Sequence, residues 1–318
     1  MLWGVLVNGG AVFTLPQLSG SLFVTDGGIE TDLIFNKGVD LPEFASFVLH
    51  ENASGEAVLR TYFEDYFRIG ADSGLGLVLE TATWRASSDW GMKLGYDAAR
   101  LRSINHRAAE FMLELRTAAG STVVVSGCVG PRGDAYSDFG PASADEALVY
   151  HRPQVEVLAG SGVDLVTALT LTNVAEAIGF IRAASERSVP AVVSFTVETD
   201  GRLPSGTSLA DAIEIVDAET DNAAAYFMIN CAHPDHFNPV LIDSAGVLGR
   251  IRGIRANASR QSHAELDEST ELDDGDPVEF GLQLAALHAA NPQINVLGGC
   301  CGSDARHIAA IVAAHQNG

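Results

Sequence analysis

Ala224-Ala225-Tyr226-Phe227-Met228-Ile229-Asn230-Cys231 is a short apolar run that stops at an amide and a thiol. Seven more runs rich in Val, Ile and Leu occur along the chain, at 22–26, 76–80, 122–127, 163–168, 191–196, 251–256 and 294–297. Most are followed by a turn and then a longer stretch with helical periodicity, which is the signature of repeated βα units around a parallel sheet. Those stretches are 56–73, 97–118, 143–159, 173–185, 209–219, 278–289 and 304–315, with Ser143, Asn173, Ser208 and Ser303 as expected N-caps, and a short helix is expected over 235–244. Eight such repeats without a Pro/Gly/Ser linker argue for an α/β fold of the (β/α)₈ TIM-barrel type over an open doubly wound sheet. We therefore read residues 21–318 as one catalytic domain and 1–20 as an N-terminal arm.

Composition narrows the function classes. The chain has 318 residues, 47% of them hydrophobic, which is ample for one large core. Its net charge of −22, from 41 acidic and 19 basic residues, would repel a nucleic-acid backbone or an anionic membrane surface, so a small molecule is the expected partner. The apolar start Met1–Val7 lacks a basic flank and is broken by Asn8-Gly9-Gly10, so neither a signal peptide nor a membrane span is expected. Only four cysteines occur, Cys128, Cys231, Cys300 and Cys301; they are too few for a disulfide framework, and a cytoplasmic location is expected.

In a barrel the C-terminal ends of all strands meet at one rim, where catalytic residues collect. That rule places Asp26, Glu80, Gly127, Leu169, Thr196, Cys231, Asn257 and Cys300 around one mouth. Cys231 then faces Cys300-Cys301, which sits within Val296-Leu297-Gly298-Gly299-Cys300-Cys301-Gly302-Ser303. Three thiolates suit a zinc site with one open position, whereas the bland alternatives are a vicinal disulfide at Cys300-Cys301 or small buried hydrophobes. Cys128, among Gly127, Val129 and Gly130, is expected to be structural. His233 and His236 are expected at the surface, His263 has two open readings, and the acidic run 265–276 is expected to be a solvated loop.

Other rim segments carry polar groups. Asp26 with Gly27-Gly28 could bind an ammonium group or simply turn the chain. Glu80, after Leu77-Val78-Leu79, needs a partner if buried; Arg85 is one candidate and a substrate amine is the other. The stretch 127–136, with Gly130-Pro131-Arg132-Gly133, presents backbone N–H groups but lacks the Lys-Ser/Thr pair of a nucleotide loop.

Taken together, Asp26-Gly27-Gly28-Ile29-Glu30-Thr31, Glu80-Thr81-Ala82-Thr83-Trp84-Arg85-Ala86-Ser87, Gly130-Pro131-Arg132-Gly133, Asn230-Cys231 and Gly298-Gly299-Cys300-Cys301-Gly302 resemble the zinc-dependent, pterin-independent homocysteine S-methyltransferase family. The resemblance implies a zinc ion (Zn2+) on Cys231, Cys300 and Cys301, a small-molecule thiol and an onium methyl donor as partners, and methionine biosynthesis as the setting. It implies substrate contacts from Asp26, Gly27, Gly28, Glu80, Thr81 and Asn230. A homo-oligomer stays open. One position departs from the pattern: Leu169 stands where the family commonly carries the glutamate that receives the substrate ammonium. Either Glu80 or Asp26 takes that role, or the acceptor is not homocysteine. Two competing readings remain: a lyase or aldolase barrel built on Glu80 and Arg85, and a non-catalytic zinc- or thiol-binding barrel with the site closed by His233.

Overall fold

The computed structural model describes the backbone of residues 5–8, 11–134, 143–243, 246–269 and 271–318. Eight strands close into a barrel: β1 (Phe23–Thr25), β2 (Gly76–Glu80), β3 (Val123–Val129), β4 (Leu165–Leu171), β5 (Ala191–Phe195), β6 (Ala224–Asn230), β7 (Ile251–Ala256) and β8 (Val296–Gly299). Each pairs in parallel with its neighbours, and β8 returns to β1. The helices between and after them are α1 (Ala53–Ser73), α2 (Ala98–Thr117), α3 (Ala144–Gly160), α4 (Val174–Glu186), α5 (Leu209–Glu219), α6 (Pro234–Asp243), α7 (Pro277–Ala290) and α8 (Ala305–Asn317). This is the (β/α)₈ barrel expected from the repeats. Of the short helix expected over 235–244, Ser244 lies outside the described residues, as do Ala135 and Tyr136 of the loop after β3.

Local chemistry explains the helix starts. Ser143, Asn173 and Ser208 each accept a hydrogen bond from the backbone N–H three residues on, at 3.2, 2.9 and 3.1 Å. Ser303 does not cap α8: Asp304 does, accepting from the Arg306 N–H, while the Ser303 hydroxyl donates to the Cys300 carbonyl at 2.8 Å. A carboxylate one residue nearer the helix is the stronger partner for its exposed N–H groups, which frees the serine to tie down the cysteine turn.

The lumen is built in layers. Phe23, Val78, Val124, Leu165, Val192, Tyr226, Met228 and Val296 form an apolar floor, separate from the larger core between strands and helices. Leu15 packs into the same floor, and Gln17, fully buried, donates to the Tyr226 hydroxyl at 3.3 Å. Asn295 in turn donates to the Gln17 and Ser21 carbonyls at 2.7 and 2.6 Å. Ahead of this plug, Val5–Asn8 and Ala11–Thr14 pair as an antiparallel hairpin.

Side chains alternate across a strand, so residues two positions on face the same lumen. Those residues are polar: Glu80, Ser126, Thr167, Ser194, Asn230 and Arg255 are all buried. Ser126 and Thr167 share a hydrogen bond at 2.7 Å, and Ser194 donates to Asn230 Oδ1 at 2.7 Å. This polar layer sits between the apolar floor and the mouth. β3 and β4 run past their expected ends to Val129 and Leu171; in β4 the pairing shifts register between Ala168 and Leu171, where Thr170 adopts a left-handed φ of 65°.

Candidate active site

Cys231 leaves β6 with a left-handed φ of 57°, its N–H donating to the Arg255 carbonyl at 3.1 Å. Cys300 leaves β8 with its N–H on the Ala256 carbonyl at 2.7 Å, and Gly302 turns the chain at φ 79°. These turns bring the three Sγ atoms of Cys231, Cys300 and Cys301 within 4.8 Å of one another, with Cys231 and Cys301 at 3.6 Å. Tetrahedral zinc with thiolates at about 2.3 Å places its sulfurs about 3.8 Å apart, so the donor set fits such an ion. Hydrogen bonds from the neighbouring thiols of Cys231 and Cys301, helped by the Arg255 guanidinium and the Asn230 amide, hold the Cys300 thiol well below the range of a free cysteine. The same thiol contacts push Cys301 up. Of the described residues, only these three form such a ligand cluster. His233 is not part of it.

Gly27 and Gly28 serve this cluster by close approach. A Cβ on Gly28 would meet the Cys300 carbonyl oxygen at 2.4 Å, and one on Gly27 would meet the Ser303 oxygen at 2.6 Å. The Gly28 N–H is already committed to Ser303 O at 2.9 Å. Thr81 is likewise engaged, its hydroxyl accepting from the Cys128 N–H at 2.9 Å and sharing a hydrogen bond with Thr83.

Below the cysteines lies a charged group that the sequence reading missed. Arg255 is 4% exposed; its guanidinium faces Asp26 Oδ1 at 2.8 Å and donates to the carbonyls of Gly27 and Gly299 at 3.1 Å each. Asp26 Oδ2 accepts from the Tyr62 hydroxyl at 3.1 Å. Asp26 is therefore matched by a cation at Oδ1, which meets the guanidinium as an ion pair and not in hydrogen-bond geometry, and by a hydroxyl at Oδ2. Glu80 differs in having no ion pair among the described residues: it is 6% exposed, and its Oε2 has no hydrogen-bond partner among them either. Burial raises its pKa to about 7 despite the opposing charge of Arg255.

Several expectations are corrected here. Arg85 is not the partner of Glu80: it stacks on Trp90 at 3.7 Å and Trp84 at 4.9 Å, and Arg255 is the cation acting on Glu80. The planar guanidinium of Arg85 is held at the mouth by two indole faces and by the Glu43 carbonyl that it donates to. His233 is buried, 3% exposed, because its Nδ1 accepts the Asp235 N–H at the start of α6; His236 is half-buried, against the Arg260 carbonyl. The run 265–276 is more than a solvated loop: Leu272 and Asp273 line the cavity, Ser259 donates to Asp273 at 2.5 Å, and Asp276 caps α7. His263 is buried, its Nε2 at 2.5 Å from the Cys231 carbonyl and its Nδ1 at 3.3 Å from Glu198. Cys128 is buried, its thiol pushed up by burial.

Asn230 ties the strands together beside the thiols. Its Oδ1 accepts the Thr170 N–H at 2.9 Å, and its Nδ2 donates to Thr170 Oγ1 at 2.9 Å and toward Cys300 Sγ at 3.7 Å. That pair of bonds holds the unfavourable backbone of Thr170 in place. Leu169, buried at the cavity wall, offers its carbonyl to Trp84 Nε1 at 3.4 Å. The whole cavity is about 620 Å³.

Comparison with known proteins agrees with this geometry. A family model described as homocysteine S-methyltransferase matches residues 23–315. Homocysteine S-methyltransferase 2 of Zea mays is 27% identical over 95% of this chain and 92% of its own length. Homocysteine S-methyltransferase of Escherichia coli strain K12 is 26% identical over 92% of this chain and 94% of its own length. A selenocysteine Se-methyltransferase of Brassica oleracea var. italica is 24% identical over 93% and 90%. The metallated form of the homocysteine methyltransferase MmuM from Escherichia coli shares the fold with a TM-score of 0.72 and 24% identity, over 92% of this chain and 96% of its own. The family match begins on the first barrel strand, ends in the last helix and takes in all three clustered thiols, so the chain belongs to the homocysteine S-methyltransferase family.

Proposed function

We propose that this enzyme moves a methyl group from an onium donor, such as S-methylmethionine, S-adenosylmethionine or betaine, to the thiol of homocysteine, giving methionine. The observation that carries the reading is the convergence of Cys231, Cys300 and Cys301 from two strand ends on the wall of one cavity. Zinc, when bound by these three residues, supplies a Lewis acid that favours the thiolate form of a substrate thiol. In the reaction the acceptor thiol loses its proton and its sulfur forms a bond to the methyl carbon. The donor's carbon–onium bond breaks, leaving the electron pair on the donor heteroatom.

The protein's own residues align the two molecules. Asp26 is matched by Arg255 and Tyr62, so it braces the site from within. Glu80, buried and with an oxygen to spare, is the residue we assign to the acceptor's ammonium in place of the carboxylate missing at Leu169. Asn230 orients Cys300, and Gly27-Gly28 let the β1 turn pass beneath the thiols. Holding both substrates in line is the larger share of the catalysis such a site can offer. We take 21–318 as the catalytic unit; its four free thiols are consistent with a cytoplasmic setting, and among the described residues no helix is long and apolar enough to cross a membrane.

Zinc content after preparation under reducing conditions, together with methionine formation from homocysteine across the three donors, tests the proposal. One zinc per chain and methionine from at least one donor is the expected result. Sub-stoichiometric zinc that Cys301→Ser leaves unchanged, or no methionine from any donor, would overturn it.

A further inference from the structure

Among the carboxylates on the cavity wall, Glu30 has no part in the reaction as proposed above. Glu30 follows the Asp26-Gly27-Gly28 turn and lines the same cavity, its Oε1 accepting the Ser46 hydroxyl at 2.7 Å. No cation is found in an ion pair with it among the described residues, and burial in the cavity wall penalises its charge. A carboxylate so placed gains from a cation delivered by a ligand.

The surroundings suit a particular kind of cation. Phe35 and Phe44 line the cavity and are 42% and 43% exposed, unusual for rings of this size. Phe44 is held there at a cost. Both Glu43 and Phe44 are left-handed, with φ of 53° and 52°, which costs roughly 1–2 kcal/mol per residue. The turn is fixed by Phe44 N–H on the Leu41 carbonyl, Ala45 N–H on the Pro42 carbonyl, and Arg85 donating to the Glu43 carbonyl. Two residues later the same segment supplies Ser46, the hydrogen-bond partner of Glu30. Strained backbone that presents a ring, joined to the clamp on an unmatched carboxylate, has the form of a binding site and not of packing.

We infer that Glu30, with the rings of Phe35 and Phe44, forms the subsite for the onium centre of the methyl donor, and that it favours donors of net positive charge over zwitterions. Aromatic faces attract the polarised methyl groups around an onium atom, while a carboxylate supplies the counter-charge. With Asp26 matched to Arg255, the cavity wall still carries Glu80, Glu271 and Asp273 beside Glu30. This excess attracts a donor of net positive charge and gives no such gain to one whose own carboxylate cancels its charge. A sulfonium amino acid is thus preferred to a trimethylammonium carboxylate. The inference rests on the methyl-transfer reading and names the part of the site that reads the donor.

Kinetics and binding together test it. With homocysteine saturating, Glu30→Gln is expected to raise the KM for S-methylmethionine roughly 10- to 100-fold, the loss typical of a charge-assisted contact, with the homocysteine KM moving far less. Glu30→Asp, which keeps the charge, should recover part of it, and the preference for S-methylmethionine over betaine should shrink in Glu30→Gln. Calorimetry on the protein as isolated, titrated with choline and with its uncharged isostere 3,3-dimethylbutan-1-ol, reads the same subsite without turnover. The wild type should favour choline, and Glu30→Gln or Phe35→Leu should erase the preference. An unchanged choline preference in Glu30→Gln, or equal rises in both substrate KM values, would overturn the inference. A protein that methylates no thiol would overturn the proposed reaction instead, and the choline comparison would still decide the role of Glu30.

Discussion

Asp26 and Arg255 face each other at 2.8 Å inside the barrel, both more than nine-tenths buried. Two charges removed from water in this way hold one another in place, and taking away one leaves the other uncompensated. Arg255→Met should therefore destabilise the protein by about 3–5 kcal/mol, since it strands Asp26 and also deprives Glu80 of its nearby cation. Asp26→Asn combined with Arg255→Met should recover much of that loss. Urea unfolding of the two variants measures the difference, and equal losses in both would contradict the pairing.

Glu80 offers a sharper functional test, because the acceptor can be stripped of the group it is assigned to bind. Homocysteine without its amino group is 4-mercaptobutanoate. In Glu80→Gln the KM for homocysteine should rise roughly 10- to 100-fold while that for 4-mercaptobutanoate changes little. Parallel rises for both thiols would show that Glu80 acts on the fold and not on the ammonium.

The raised pKa of Glu80 also has a sign that stability measurements can read. Its carboxyl titrates near 7 in the folded protein against 4.5 as the ordinary value, so the folded state holds the proton more tightly than the unfolded chain. Its contribution then falls as pH rises from about 4.5 to about 7 and stays low above that. Glu80→Gln removes the penalty: without bound amine, the variant should be more stable than wild type at pH 8 by on the order of 2–3 kcal/mol. The two should converge below pH 4.5. Denaturant midpoints across this range check both the size and the direction.

Gly28→Ala tests the close approach under the thiols. The added methyl would press on the Cys300 carbonyl at 2.4 Å and on Thr31 Oγ1 at 2.6 Å, so the cysteine turn must shift. We expect zinc content and activity to fall while far-ultraviolet circular dichroism stays close to wild type. Full zinc occupancy in this variant would show that the turn has room the structure does not indicate.

Much of this site could be read from the residues in order. Period and length gave the strands, and the rim rule then joined Cys231 to Cys300-Cys301 across 70 positions. What stayed hidden belongs to the lumen. Arg255 lies in Ile251-Arg252-Gly253-Ile254-Arg255-Ala256, where two arginines look alike, and only the facing of Gly253 and Arg255 into the barrel separates the buried one from its half-buried neighbour. Glu80 is legible as a carboxylate in need of a partner, and the sequence offers Arg85 or a substrate amine; the cation that acts on it is 175 positions away on β7, a distance that local reasoning does not cross. A His-Pro turn suggests exposure at His233, whereas its ring is buried and accepts the Asp235 N–H at the start of α6. Glu30 has no legible role within Asp26–Thr31, since its hydrogen-bond partner Ser46 and the rings of Phe35 and Phe44 come from the segment that follows.

The plug formed by Leu15 and the apolar floor has a kinetic meaning. With the lumen sealed from beneath, Glu80 lies at the inner end of a blind passage, while Phe35 and Phe44 stand at its outer end. On the assignments proposed above, both molecules use the same doorway, and the one anchored deeper is expected to arrive first and depart last. Product-inhibition kinetics should then show an ordered sequence, acceptor before donor and spent donor before methylated product, imposed by nothing more than a closed floor.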